Sequence, residues 1–87
     1  MSFDSGYTIL VVGAGGGIGR AVATDLAAQG ASVVVADRDL DAALATAHLI
    51  ESTGGRSLAL DLDVADEQSA HAAVAATERW NGELRAL

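Results

Sequence analysis

Between Val12 and Arg20 the chain packs five glycines into seven positions, Gly13-Ala14-Gly15-Gly16-Gly17-Ile18-Gly19. Glycine this dense is costly to order and is used where the backbone needs positive φ or a close approach to something else. Before it, Tyr7 to Val12 (YTILVV) is a β-branched, largely apolar run, which reads as a strand buried on both faces. After it, Ile18, Ala21, Val22 and Leu26 recur at helical spacing up to Gln29, and Gly30 supplies the stop. Strand, glycine turn, helix is the local pattern that every later inference must accommodate.

The pattern repeats. Ser32 to Ala36 reads as a second buried strand, and Leu40 to Thr53 as a second helix, with Leu40, Ala43, Leu44, Ala47 and Ile50 inward and Asp39 as its cap. Ser57 to Leu62 reads as a third strand and Asp66 to Trp80 as a third helix, with Ala70, Ala73, Val74 and Thr77 on one side; Asn81-Gly82 breaks it. Leu84 to Leu87 reads as the start of a fourth strand. Alternation with short connections predicts an α/β fold with a parallel sheet and right-handed crossovers. The expected strand order is 3-2-1, with any fourth strand beside the first, two helices on one face and the third on the other. This is a partial Rossmann fold, a single partial domain over residues 1–87, with the apolar first strand left as a long, flat edge that invites self-association.

Bulk properties limit the partners. Five arginines and no lysine stand against 12 acidic residues, a net charge of −7, which opposes nucleic acid or an anionic membrane as a partner. Alanine fills many positions where larger side chains would thicken the core. No cysteine is present, so disulfide and thiolate chemistry are excluded. No basic leader opens the chain, and no apolar run approaches the roughly 20 residues of a membrane span; the expectation is a cytoplasmic protein.

The glycine run carries the chemistry. The fingerprint GxGxxG fails in every register, because Ile18 or Arg20 falls where its last glycine belongs, and the phosphate-binding GxxxxGK[ST] loop fails for want of lysine. GxxxGxG fits, with Gly13 closing the strand, Gly17 opening the helix and Gly19 letting the helix approach the sheet. Exposed N–H groups from Gly16, Gly17 and Ile18 at the helix start would then receive a pyrophosphate, aided by the helix dipole.

With Gly13, Gly17, Ile18 and Gly19, this stretch resembles the TGxxxGIG motif of the short-chain dehydrogenase/reductase family, and the similarity runs over essentially the whole chain. Val12 stands where that family has Thr. The resemblance implies an oxidoreductase that acts on a hydroxyl or carbonyl substrate with NAD or NADP as cofactor.

Asp37 lies 18 residues beyond Gly19 at the carboxyl end of the second strand. In a Rossmann half that position faces the adenosine ribose, where a carboxylate accepts from its hydroxyls and repels a 2′-phosphate, favouring NAD over NADP. Arg38 follows, and the resemblance implies that a basic residue there can receive a 2′-phosphate in some members. Asp63-Val64 is similar to the family's Asp-Val or Asp-Leu pair, which implies contacts with the adenine amino group and ring; Asp66 would cap the third helix in place of Ala65. Asp61, inside an apolar strand, must find a partner or reach the sheet end.

Other polar residues carry less. His48 and His71 read as surface positions with no metal-ligand spacing, Trp80 as a packing anchor, and Arg20 as either a phosphate neighbour or a solvated helix residue. The family reduces carbonyls with a Tyr paired to a Lys four residues on; here Tyr7 is the one tyrosine, position 11 is Val11, and lysine is absent. The expectation is therefore the NAD-binding N-terminal portion of such an enzyme, ending before the catalytic region and inactive by itself, with no catalytic or metal-binding residue. The alternatives are a non-catalytic module for NAD or ADP-ribose, and an interaction fragment that completes its sheet with another chain.

Overall fold

The computed structural model describes residues 7–81 and 84–86, the last three by their backbone. Strand and helix alternate as β1 (Thr8–Val12), α1 (Gly17–Ala28), β2 (Ser32–Asp37), α2 (Leu40–Ser52), β3 (Arg56–Asp61), α3 (Glu67–Asn81) and β4 (Leu84–Ala86). All strand pairs are parallel, in the order β3-β2-β1-β4. Thr8 of β1 pairs with Ser32 of β2, which pairs with Arg56 of β3, so the strands start level and end level at Val12, Ala36 and Leu60. That common carboxyl end is the edge to which the glycine turn belongs.

Alternation along each strand divides the core. Ile9, Val11, Val33 and Val35 face α1 and α2, packing on Ala23, Ala27, Ala43, Ala47 and Ile50. Leu10, Val34 and Ala36 face the other way, with Leu58, Leu60, Leu62 and the α3 residues Ala70, Ala73 and Trp80. Val33, Val34 and Val35 are completely buried, each contributing about 1.5–3 kcal/mol through removal of its side chain from water. The helix side of both layers is largely alanine, which lets the helices sit close to the sheet and leaves little depth of core.

The helix faces match the expected ones in part: Val22 and Leu26 of α1, Ala43, Ala47 and Ile50 of α2, and Ala70, Ala73 and Thr77 of α3 pack inward, while several other expected residues do not. In α1 the buried residues are Ala23 and Ala27, while Ile18 and Ala21 are exposed. In α2 the inward row is Ala43, Thr46, Ala47 and Ile50, and Leu40 and Leu44 lie outside. Val74 of α3 is likewise exposed. The small residues win the inward positions because a thin interlayer space admits alanine more readily than leucine. Ile18 is outside because the first turn of α1 stands at the carboxyl edge, beyond the core.

Strand and helix limits shift by a residue or two. β2 extends to Asp37, β3 runs from Arg56 to Asp61, and α3 starts at Glu67. Asp66 caps α3 by accepting from the Gln68 and Ser69 N–H groups at 3.0 and 3.4 Å. Asp61 ends β3 with its side chain exposed, so it reaches the sheet end. Residues 84–86 pair with Thr8, Ile9 and Leu10, which removes β1 from the edge over most of its length; the outer strands are β3 and β4. Gly82 and Leu87 lie outside the described residues. The end of α3 is fixed from beneath: the Asn81 side-chain amide donates to the fully buried Thr8 hydroxyl at 2.6 Å. Among the described residues no helix is long and apolar enough to cross a membrane.

Candidate functional site

The glycine turn folds back over the end of β2. The N–H groups of Gly13 and Ala14 both donate to the Ala36 carbonyl, at 2.8 and 3.1 Å. Gly13 and Gly17 have φ of 74° and 58°, left-handed values that an L side chain resists. Gly16 is the N-cap of α1, extended and with no side-chain cap. The first intrahelical bond runs from Arg20 N–H to the Gly16 carbonyl at 3.2 Å, so the N–H groups of the first turn have no intrahelical acceptor and present the positive end of the dipole at the carboxyl edge. A Cβ on Gly19 would collide with the Gly13 carbonyl, which is the close approach its place in the spacing predicts.

Asp37 ties this turn to β2 and α2. One carboxylate oxygen accepts from Gly15 N–H at 2.9 Å, and the other accepts from Asp39 N–H, also at 2.9 Å. These two backbone donors, Asp39 first, hold the carboxyl below its ordinary pKa, with Arg38 adding to them and partial burial opposing. Each oxygen keeps a further lone pair, so the group can still accept from a diol. Asp37 and the exposed Arg38 line a cavity of about 200 Å³ with Val12, Gly13, Leu62 and Val64. Val64 is 67% exposed, leaving an apolar surface beside the carboxylate.

The other sequence candidates are placed less directly. Asp63 closes a local turn, its carboxylate accepting from Ala65 N–H at 3.0 Å and its own N–H donating to the Ser69 hydroxyl at 3.1 Å; the cavity wall is formed by Val64 beside it. Asp39 accepts from Ala42 N–H at 3.2 Å as the cap of α2. His48 and His71 are exposed. No group of three or more potential metal ligands occurs among the described residues. Trp80 packs against the α3-side core and carries the Arg56 guanidinium 4.5 Å over its ring.

Two participants were not identified from the sequence. Gly15 is buried, and a Cβ on it would lie 2.7 Å from both Ala42 Cβ and the Asp37 carboxylate; the GxxxGxG template treats that position as free. Arg20 is half-buried, and its guanidinium is engaged within the fold, donating to the Thr46 hydroxyl at 2.8 Å and to the Gly15 carbonyl at 2.6 Å. A glycine run opposite a carboxylate at the end of the second strand was the available signal for Gly15. Nothing local to the sequence signals the pairing of Arg20 with Thr46, 26 residues on.

The arrangement can therefore receive a diphosphate on backbone N–H groups, a vicinal diol on a carboxylate and a flat ring on Val12, Leu62 and Val64. A larger groove of about 680 Å³ between α2 and β3, lined by residues such as Leu44, His48 and Leu58, includes neither the glycine turn nor Asp37.

Comparison with known proteins agrees with this geometry. The short chain dehydrogenase family profile matches residues 7–87. A short-chain reductase protein NovJ of Streptomyces niveus is 42% identical over 78 residues, covering 90% of this chain and 30% of that protein. The 7alpha-hydroxysteroid dehydrogenase of Escherichia coli K12 is 41% identical over 63 residues, covering 72% of this chain and 25% of the enzyme. Among solved structures, a hydroxysteroid dehydrogenase from Escherichia coli superposes with a TM-score of 0.92 at 35% identity, over 95% of this chain and 35% of that one. A 7 alpha-hydroxysteroid dehydrogenase complexed with NADH and 7-oxo glycochenodeoxycholic acid superposes with a TM-score of 0.89 at 35% identity, over 92% and 31%. The chain thus spans about a third or less of the length of these relatives. With its sheet order, its glycine turn and a family match over nearly all its residues, the chain belongs to the short chain dehydrogenase family.

Proposed function

We propose that this chain is the part of a nicotinamide-dependent oxidoreductase that binds the adenosine half of the dinucleotide, with NAD preferred to NADP. The observation that carries the proposal is the Asp37 carboxylate, fixed by Gly15 and Asp39 N–H groups at the mouth of the 200 Å³ cavity. The residues fit the group: a Cβ at Gly19 would meet the turn and one at Gly15 would meet Ala42 and Asp37, while nothing lies within 4 Å of a Cβ built at Gly16 or Gly17, and the first turn of α1 has no side-chain cap, which suits an anion.

In this reading the N–H groups of Gly16, Gly17, Ile18 and Gly19 hold the pyrophosphate, with Gly13 letting the backbone pass beneath it. Asp37 accepts from the ribose hydroxyls and disfavours a 2′-phosphate by like charge, while Arg38 alongside moderates that preference. Val12, Leu62 and Val64 cover the adenine, and Asp63 meets its amino group. The bound cofactor would supply hydride transfer to or from a carbon bearing oxygen. The 87 residues contribute binding and orientation; none forms the tyrosine–lysine pair that such a transfer needs for its proton, since Tyr7 precedes β1 at the opposite edge of the sheet and lysine is absent. A cytoplasmic setting belongs to the same proposal.

Calorimetric titration with NAD, NADP, ADP-ribose and nicotinamide mononucleotide tests it. NAD and ADP-ribose are expected to bind alike and NADP more weakly, with the mononucleotide silent. A folded chain that binds none of them, or that binds the mononucleotide best, refutes the assignment.

A further inference from the structure

The glycine turn has little of its own to hold it in shape. Gly15, Gly16 and Gly17 are consecutive, and ordering glycine costs more backbone entropy than ordering any other residue. Upstream, Gly13 and Ala14 are fixed on the Ala36 carbonyl. Beyond them, both remaining restraints on the carbonyl side come from Arg20. Its backbone N–H donates to the Gly16 carbonyl at 3.2 Å, and its guanidinium donates to the Gly15 carbonyl at 2.6 Å. The guanidinium is itself anchored, through Nε, on Thr46 of α2, which is completely buried. Gly15 is then gripped from both ends, its carbonyl by Arg20 and its N–H by Asp37, whose other oxygen is held by Asp39 just before α2.

We infer that Arg20 is a positioning residue: anchored on Thr46, it holds the Gly15 carbonyl, which limits rotation about the Gly15 backbone and so fixes the neighbouring Gly15 N–H that orients the Asp37 carboxylate. The planar fork of guanidinium suits this task, because two donors in fixed geometry reach two acceptors on different elements at once. A lysine could satisfy one of them. The effect on the turn and on Asp37 is independent of any ligand, whereas the effect on affinity rests on the adenosine reading above.

The test compares Arg20→Ala, Arg20→Lys and Thr46→Val in the 87-residue chain, each checked for folding by circular dichroism. Without nucleotide, amide exchange at Gly15 should accelerate in Arg20→Ala and Thr46→Val, and the Asp37 carboxyl, followed by NMR, should titrate higher as its Gly15 donor is loosened. With ADP-ribose as the probe, both variants should bind about tenfold more weakly, the scale of one lost charge-assisted hydrogen bond, and Arg20→Lys should recover part of the loss. Thr46→Val keeps the positive charge, so it separates position from charge. If Arg20→Ala weakens binding while Thr46→Val binds like wild type, Arg20 acts as a cation toward the phosphates and the positioning role is overturned. Unchanged Gly15 exchange and Asp37 titration in both variants would overturn it too. If wild type binds no ADP-ribose yet Gly15 exchange and Asp37 titration shift as described, the adenosine reading fails and the positioning role stands.

Discussion

Asp37 combines two jobs in one carboxylate: it closes the glycine turn by accepting from Gly15 N–H, and it is the group proposed to recognise ribose. Asp37→Asn keeps an acceptor and removes the charge. NADP affinity is expected to rise relative to NAD by roughly tenfold, the equivalent of about 1.4 kcal/mol of lost repulsion, read by titrating both nucleotides. The same substitution reports on pH. Because the folded carboxyl lies below its ordinary value, ionised Asp37 adds stability that is fully present above the unfolded value, about 3.9, and is lost as pH falls through the lowered folded value. Thermal unfolding from pH 6 downward should show a constant gap between wild type and Asp37→Asn that narrows only below about pH 4. A gap that closes already near neutrality would assign the effect to another group. Much at this scale was legible in the sequence: the carboxylate at the end of the second strand and the glycine spacing pointed to Asp37 and the turn. The hydrogen bond between them was not, because it depends on how the turn bends over β2.

At the scale of elements, alternation and stop signals located every described strand and helix to within a residue or two, and Asp39 and Asp66 could be recognised as caps from their place before each helix. The inward faces of the helices were legible in part: Ala43, Ala47 and Ile50 of α2 and Ala73 and Thr77 of α3 are buried as their spacing predicts, but Leu40, Leu44 and Val74 are not, since hydrophobic periodicity assumes that the largest apolar residues win the core. In α2 the interlayer space is set by Ala43, Ala47 and alanines of α1, and Leu44 is left 50% exposed while Ile50 is 1% exposed. Truncating each to alanine distinguishes the two faces. Leu44→Ala should change unfolding free energy by no more than about 0.5 kcal/mol, as at most surface sites, and Ile50→Ala should cost about 2–5 kcal/mol, both measured by denaturant titration. Equal losses would mean that Leu44 faces the core along with Ile50, as the periodicity predicts.

For the whole molecule, the sheet ends in β3 on one side and in the three-residue β4 on the other. We predict that any self-association through an open edge uses β3, beside which the exposed Leu44 and the half-buried Leu58 line the 680 Å³ groove. Charge opposes it: at −7 per chain, two copies repel until salt screens them, with a Debye length of about 10 Å at 0.1 M and 3 Å at 1 M. Burial of apolar surface at the edge does not weaken with salt in the same way. Sedimentation at increasing concentration should thus show a reversible dimer that strengthens from 0.05 to 0.5 M salt. Leu44→Lys should weaken it at every salt concentration with little change in melting temperature, because that side chain is half outside already and the core it leaves is unaltered. Association that weakens as salt rises would instead point to ion pairs between copies, and a monomer at every concentration would show that charge repulsion suffices to keep the edge unpaired.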